Sequence, residues 1–350
     1  MDYMRELAHS NTDEHHVNPG VLWFRGISDI GHSLIPSLLR EDVRVERTAE
    51  GGEYSSLHYA EDIRTQHYIA KNYHFFQKEP SSRIEWLEVM QHHLMKTRVL
   101  DWSESSIHSL LFAIEPFLDD GRYKDQDRRG CVPCVWVLEP GKLNKSIFQY
   151  LAGEMQEGGL INKLLEELAL DKADIKKVLT VMSKVSDIMY HETNGTAHID
   201  YILNLSAIND EILRDRSRMK YLLMHGDVMN PMYYIISRIY SDGYILTERS
   251  LPPLAVVHPY HSERIKAQKG VFTVFPFYEE NEIDKTIREF GINPDAMENN
   301  ALAAACLHKI IINNPQDVAY DLLANGTNTS WLYPEMPIVS SEIENHKVHF

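Results

Sequence analysis

Several residues able to do chemistry cluster in the segment QHHLMKTRVLDW, residues 91–102. It carries two adjacent histidines, an arginine and an aspartate, and an apolar helical pattern follows it. Main-chain N–H groups at the start of a helix attract anions, which Asp101 or a bound phosphate would supply. The segment therefore indicates either a polar structural network or the wall of a binding site.

A second charged group lies at the end of an apolar strand pattern. Arg25 stands between Phe24 and Gly26, in a strand predicted over residues 21–26. A guanidinium there is costly unless it is paired or reaches into a cavity. Two interpretations stay open: a structural salt bridge with Asp101 as its partner, or a fork that grips a phosphate or carboxylate.

Other polar positions also have two interpretations. Ser103 is either the N-cap of the following helix or part of a site. One of His92 and His93 faces the site, and the other packs in the core. Gln268, two residues before Gly270 and a strand, indicates either a main-chain approach to a ligand or a turn.

The sequence lacks the common metal, hydrolase and nucleotide motifs. There is no HExxH, GxSxG, P-loop or GxGxxG pattern. Cys131 and Cys134 form a CxxC without a second pair, inside an apolar strand pattern, so we interpret them as core residues. We therefore expect no metal site and no firmly bound cofactor.

Charge and hydropathy narrow the choice of partners. The formal net charge is −16, which repels nucleic-acid phosphates and anionic membranes, so a nucleic-acid enzyme is the least favoured class. No apolar run reaches the roughly 18 residues of a membrane helix. The first residues are polar and show no signal peptide, and the three cysteines do not indicate a disulfide framework. A cytoplasmic location is expected.

The hydrophobic patterns place strands near both ends and helices between them. Strands are predicted over 21–26, 97–102, 131–140, 254–257, 271–275 and 307–312, and helices over 54–78, 82–94, 103–117, 160–190, 210–226, 230–243, 281–289 and 315–324. This order predicts an α+β fold with a mixed or antiparallel sheet. We expect one domain over 1–350, with a core at 20–140 and 250–340 and a helical insert at 142–241.

A series of short motifs runs along the chain: Phe24-Arg25-Gly26, Leu34-Ile35-Pro36-Ser37-Leu38 with Arg40, Gln91-His92, Thr97-Arg98-Val99-Leu100-Asp101-Trp102, Leu111-Phe112-Ala113, Arg264-Ile265, Gln268, Gly270 and Phe272. In these motifs the chain resembles FRG-domain proteins, a family of largely unassigned function found in bacteria, phage and some fungi.

The order of these motifs is also similar to that of the ADP-ribosyltransferase fold. That resemblance implies that Arg25 holds the phosphates of NAD and that Ser103 supports the pocket of the nicotinamide ribose. Glu263 would stabilise the oxocarbenium-like transition state, because Gln268, near the expected place, lacks the charge. The other implied nucleotide contacts are Gly26, His92, Arg98, Asp101 and Trp102.

Two functions follow. The first is NAD binding, with ADP-ribosyl transfer or NAD hydrolysis as the activity and NAD as the substrate. The alternative is a non-enzymatic interaction module, in which residues 142–241 bind a protein partner. In that alternative the arginine, aspartate and histidine motif is a buried structural network.

Overall fold

The computed structural model describes fifteen stretches of the chain. They are residues 22–40, 46–47, 53–54, 57–76, 79–80, 82–117, 131–154, 159–166, 172–178, 180, 234–257, 260, 262–279, 282–327 and 329–334.

A six-stranded antiparallel sheet forms the centre of the described fold, in the order β10-β5-β1-β4-β8-β7. Its strands are β1 (Trp23–Ile27), β4 (Val99–Ser103), β5 (Cys134–Leu138), β7 (Leu254–Val256), β8 (Gly270–Val274) and β10 (Leu307–Ile311). Two short ladders accompany it: β2 (Glu46–Arg47) with β3 (Glu53–Tyr54), and β6 (Ile245–Leu246) with β9 (Phe277–Tyr278).

Helices surround this sheet. They are α1 (Leu57–Asn72), α2 (Arg83–His92), α3 (Ser106–Ile114), α4 (Pro140–Gly153), α5 (Leu160–Glu166), α6 (Glu263–Ala267), α7 (Glu282–Glu289), α8 (Ala301–Ala304) and α9 (Pro315–Ala324). Residues 172–178 are also helical, and a π-helical turn spans Ser237–Ser241. The predicted α+β class with an antiparallel sheet is confirmed.

Local signals account for several helix starts. Ser82 caps α2 by accepting the N–H of Glu85, and Pro315 occupies the first turn of α9. The prediction that Ser103 caps α3 is wrong. Ser105 is the cap, because its hydroxyl accepts the N–H of His108, while Ser103 is the last residue of β4.

Helical spacing also predicts two apolar faces, Leu57, Ile63, Tyr68 and Ile69 in α1 and Ile107, Leu110, Leu111, Ile114 and Phe117 in and after α3, and both are wrong in detail. In α1 the buried residues are Glu61 and Thr65 rather than the apolar stripe. In α3 Ile107 is 46% exposed, whereas His108 and Leu111 are buried. Helical periodicity predicts that a helix has a buried face, but the tertiary partners select which side chains are covered.

The sheet packs on both faces. Alternate side chains of β5 join different clusters: Trp136 packs with Trp23 and Leu34 on one face, and Val137 packs with Leu111 and other α3 residues on the opposite face. A third cluster contains residues of α2, α4 and α5, the turn at 234–241, and strands β4, β7 and β8.

The predicted division into a core and a helical insert stays a prediction. The described parts of residues 142–241 contribute to the third cluster, together with strand residues of the sheet. The predicted helix 210–226 lies outside the described residues. No helix in the described ranges is long and apolar enough to cross a membrane.

Candidate functional site

Strands β1 and β4 pair at one point and then separate. Phe24 lies opposite Ser103, and this is the single registered pair between these strands in the described chain. Arg25 bridges the separation. Its Nη1 donates to the main-chain carbonyl of Asp101 and, at 2.8 Å, to the carboxylate Oδ2 of the same residue. The guanidinium thus supplies a hydrogen bond that a paired strand would otherwise make.

The Asp101 carboxylate is held by a second donor. Its Oδ1 accepts the amide of Gln91 at 2.9 Å, and Gln91 in turn accepts the Thr97 hydroxyl at 2.9 Å. Burial opposes ionisation, but the charge and hydrogen bond of Arg25 and the bond from Gln91 outweigh it. The pKa of Asp101 is therefore held below its ordinary value. The side chain stays 48% exposed, so an ionised carboxylate reaches solvent here.

Arg40 adds a second guanidinium. Its Nε and Nη2 donate to the carbonyl of Ile35 at 3.0 and 2.7 Å. Burial and the charge of Arg25 lower the pKa of Arg40, and Asp101 opposes that shift. Arginine stays protonated under such shifts. Arg25, Arg40 and Asp101, called here the two-arginine site, therefore carry one net positive charge.

Part of this donor set is unused. Within the described residues, Nη2 of Arg25 and Nη1 of Arg40 donate to no group, and Nε of Arg25 is buried without a partner. The Arg25 side chain is 21% exposed, and Arg40 is exposed. An oxyanion reaching this place would meet the unused N–H groups of Nη2 of Arg25 and Nη1 of Arg40, while Asp101 competes for Nη1 of Arg25.

Gly26 has a packing role. A Cβ at this position would lie 1.8 Å from the carbonyl oxygen of Ser109 and 2.7 Å from the main-chain nitrogen of Ala113. Both atoms are main chain, so neither can move aside as a flexible side chain would. Glycine lets α3 lie directly on β1, which fixes the position of the neighbouring Arg25.

Arg98 lies fully inside the protein. Its Nε pairs with Glu61 at 2.9 Å, Nη1 donates to the carbonyl of Phe275, and Nη2 donates to the carbonyls of Tyr240 and Ser241 in the π-helical turn. Both charged side chains are 0% exposed. Arg98 therefore joins α1, β4 and the turn, and makes its contacts with protein groups.

Ser103 and Gln268 lie together beside the same strands. The Ser103 hydroxyl donates to the Gln268 carbonyl at 2.6 Å and accepts the N–H of Ser105. The Gln268 side chain donates to the carbonyl of Leu332 at 2.9 Å. Trp102 is buried, and its indole donates to the Thr273 hydroxyl at 3.1 Å. These bonds fasten β4 to β8 and to the segment at 329–334.

Part of the chain matches a known protein family. A family model described as the FRG domain matches residues 20–121. The chain contains an FRG domain. The match covers β1, β4 and α3, and so includes all three residues of the two-arginine site. No curated protein and no solved structure matches the chain.

Two further predicted site residues of the FRG-domain protein, His92 and Glu263, have other neighbours. His92 ends α2, with its ring centroid 5.0 Å from that of His93. The Glu263 side chain, in α6, is 85% exposed and lies 3.6 Å from the Lys266 ammonium. No contact described here joins Glu263 to Arg25. The assignment of all these residues to a nucleotide site stays a prediction.

Sequence reasoning missed two residues that shape the site. Arg40 is part of the motif, but its position beside the charge of Arg25 was not predicted. Glu61 lies in a predicted helix, and its pairing with Arg98 was not predicted. The signal for Glu61 is weak, because its partner Arg98 is 37 positions away. The described residues contain no cluster of three or more histidine, cysteine, aspartate or glutamate side chains placed to hold a metal ion.

Proposed function

We propose that the FRG-domain protein binds a phosphate-bearing dinucleotide of the NAD class at the two-arginine site. The supporting observation is that two guanidinium groups, Arg25 and Arg40, lie near enough for the charge of Arg25 to lower the pKa of Arg40, that both have unused N–H groups, and that one carboxylate, Asp101, pairs with Arg25. Guanidinium groups bind phosphate oxygens in forked pairs. The net charge of −16 makes a local positive centre a selective place for an anion.

Asp101 tunes the affinity of this proposed site. It neutralises part of the charge of Arg25, so it weakens the attraction for phosphate while it holds the guanidinium in place. A diphosphate that displaced the Oδ2 contact would gain the donor Nη1 in addition to the unused ones. Because the carboxylate is partly exposed, this exchange needs no opening of the core.

ADP-ribosyl transfer or NAD hydrolysis is the proposed activity. Ser103 lies opposite Phe24 in the sheet, and its hydroxyl donates to the main-chain carbonyl of Gln268; we propose that these two residues complete the site. Glu263, on the helix before Gln268, would have to supply the negative charge for an oxocarbenium-like transition state. Nicotinamide release from NAD, compared between the wild type and Glu263→Gln, tests this step: an equal rate in the two proteins removes Glu263 from it.

Binding is tested by thermal melting with and without millimolar NAD. We expect NAD to raise the melting temperature of the wild type. The rise should vanish in Arg25→Ala and shrink in Arg40→Gln, which loses one contact to a carbonyl and leaves the Arg25 pair intact. Lys145→Gln, an exposed lysine on α4, is the matched control. An unchanged wild-type melt, or an equal rise in Arg25→Ala, rejects the proposal.

A non-enzymatic interaction module is the second candidate. The observation that favours it is the 0% exposure of Arg98, whose bonds go to Glu61 and to main-chain carbonyls. Thr97, Gln91 and Asp101 likewise hydrogen-bond to one another. In this case Arg98→Ala and Asp101→Asn lower the melting temperature, NAD has no effect, and a protein partner binds through residues 142–241.

A further inference from the structure

The two edges of the main sheet differ. At the β7 edge, the side chain of Asn144 in α4 makes the two main-chain hydrogen bonds that a neighbouring strand would make. Its Oδ1 accepts the N–H of Ala255 at 2.9 Å, and its Nδ2 donates to the Ala255 carbonyl at 2.9 Å. Asn144 is 1% exposed, so this edge is closed inside the protein. Covering an edge strand in this way prevents pairing with another chain.

The β10 edge is open in the described structure. Two hydrogen bonds flank this strand and show which of its residues bond to β5. The Glu139 N–H donates to the Cys306 carbonyl, and the Ile312 N–H donates to the Pro133 carbonyl. Because such pairs alternate along an antiparallel ladder, His308 and Ile310 point their main-chain groups towards β5. The N–H and C=O groups of Leu307, Lys309 and Ile311 point outwards, where no described residue accepts or donates.

The side chains of these three residues share one face of the sheet. Leu307 is half-buried and packs against the cluster that contains Trp136, while Ile311 is 48% exposed. The Lys309 ammonium lies 4.2 Å from the centre of the Trp136 ring. The edge thus offers a lysine between two aliphatic side chains, beside unpaired main-chain groups.

We propose that β10 binds an extended peptide segment of another protein as a seventh strand. The segment carries an acidic residue opposite Lys309 and apolar residues two positions before and after it, opposite Leu307 and Ile311. Side chains directly opposite each other in such a pair lie about 5 Å apart, which suits both the ion pair and the apolar contacts. The outward N–H and C=O groups bind the main chain of the segment.

A second copy of this chain fits the edge less well. In any two-fold antiparallel pairing of two β10 strands, Lys309 lies opposite its own counterpart or an aliphatic residue, and never opposite a carboxylate. The net charge of −16 on each copy adds repulsion. A lysine on an edge strand is in general a guard against self-pairing, so the same residue disfavours a second copy and favours an acidic segment.

The test uses the full chain and labelled heptapeptides of alternating threonine and valine, with glutamate or lysine at the centre. Fluorescence anisotropy should show the glutamate peptide binding about fivefold more tightly than the lysine peptide. In Lys309→Glu the lysine peptide should bind more tightly than the glutamate peptide. Ile311→Pro, which removes one outward N–H, should weaken the binding of both peptides. Lys145→Gln should leave both unchanged.

A third peptide tests the main-chain hydrogen bonds with the wild-type protein, so that misfolding of a variant cannot explain the result. It is the glutamate peptide methylated at alternate main-chain nitrogens, so that it cannot donate to the edge, and it should not bind. Equal binding of the methylated peptide overturns the proposal, as does the absence of saturable binding of the glutamate peptide at millimolar concentration. Self-association in sedimentation that Ile311→Pro abolishes would assign the edge to a second copy instead.

Discussion

Arg98 and Glu61 form an ion pair in which both side chains are 0% exposed and the Nε–Oε2 distance is 2.9 Å. The cost of moving two charges out of water is offset by further bonds. The Glu61 carboxylate also accepts the main-chain N–H of Arg98. The guanidinium carbon lies 4.7 Å from the centre of the Phe277 ring. Removing Arg98 leaves the buried Glu61 carboxylate with a longer pair, to Arg83 at 3.7 Å, and removing Glu61 leaves the Arg98 charge buried without its carboxylate.

Arg98→Ala should therefore destabilise the fold by about 3–5 kcal/mol, because Glu61 loses the closer of its two arginine partners and three carbonyl groups lose a donor. Urea unfolding followed by circular dichroism measures this. The double variant Arg98→Met with Glu61→Leu should recover the part of the loss that comes from the unpaired charge, but not the part that comes from the three carbonyl groups. A single variant within about 0.5 kcal/mol of the wild type would mean that the pair has little structural importance.

Gly26→Ala should destabilise the protein by about 3 kcal/mol or more, because the new methyl group overlaps main-chain atoms of Ser109 and Ala113. Gly153→Ala at the end of α4 is the matched control, since nothing lies within 4 Å of the added Cβ. The control should be neutral or slightly stabilising. Equal effects of the two variants in thermal melts would contradict the close approach of α3 to β1.

The native protein should show one fast-reacting cysteine. Burial raises the pKa of the Cys306 thiol to about 11 and also raises that of Cys134, and both are fully covered. Cys131 is half-buried. Titration with a thiol reagent at pH 8 should label Cys131 first, and all three thiols after unfolding. Fast labelling of Cys306 in the native state would contradict this packing.

Local sequence signals were enough to predict much of the fold. The helices at 282–289 and 315–324 and the strand at 307–311 were expected within one residue, and Pro315 marks the start of the second helix. The ion pair of Arg25 with Asp101 was one of two interpretations, since a guanidinium at the end of a buried strand needs a partner. Whether this pair also holds a ligand is the part that stays a prediction.

Features that depend on contacts between residues far apart in the chain could not be predicted from the sequence. The burial of Glu61 depends on Arg98, and the closed β7 edge depends on Asn144, which is 111 positions from Ala255. The order of the six strands is equally non-local, because β5 and β10 pair beside β1 although they follow it by more than a hundred residues. No hydrophobic pattern within one segment contains that information.

The stability of the fold should depend on pH through Asp101. Its pKa is lower in the folded state than the value of about 3.9 for an unfolded chain, so its ionised form favours folding. This contribution is complete above the unfolded pKa and is lost as the pH falls through the folded one. The free energy of unfolding of the wild type should therefore decrease more below about pH 4 than that of Asp101→Asn, which cannot ionise.

Because the carboxylate is half exposed, solvent screening keeps this difference small, and the comparison between the two proteins is more informative than either curve alone. Urea unfolding at intervals between pH 3 and pH 7 measures it. Above pH 5 the two curves should run parallel, with the variant less stable because Arg25 has lost its charged partner. Parallel curves over the whole range would show that Asp101 titrates alike in both states, and that the pair with Arg25 contributes no net stability.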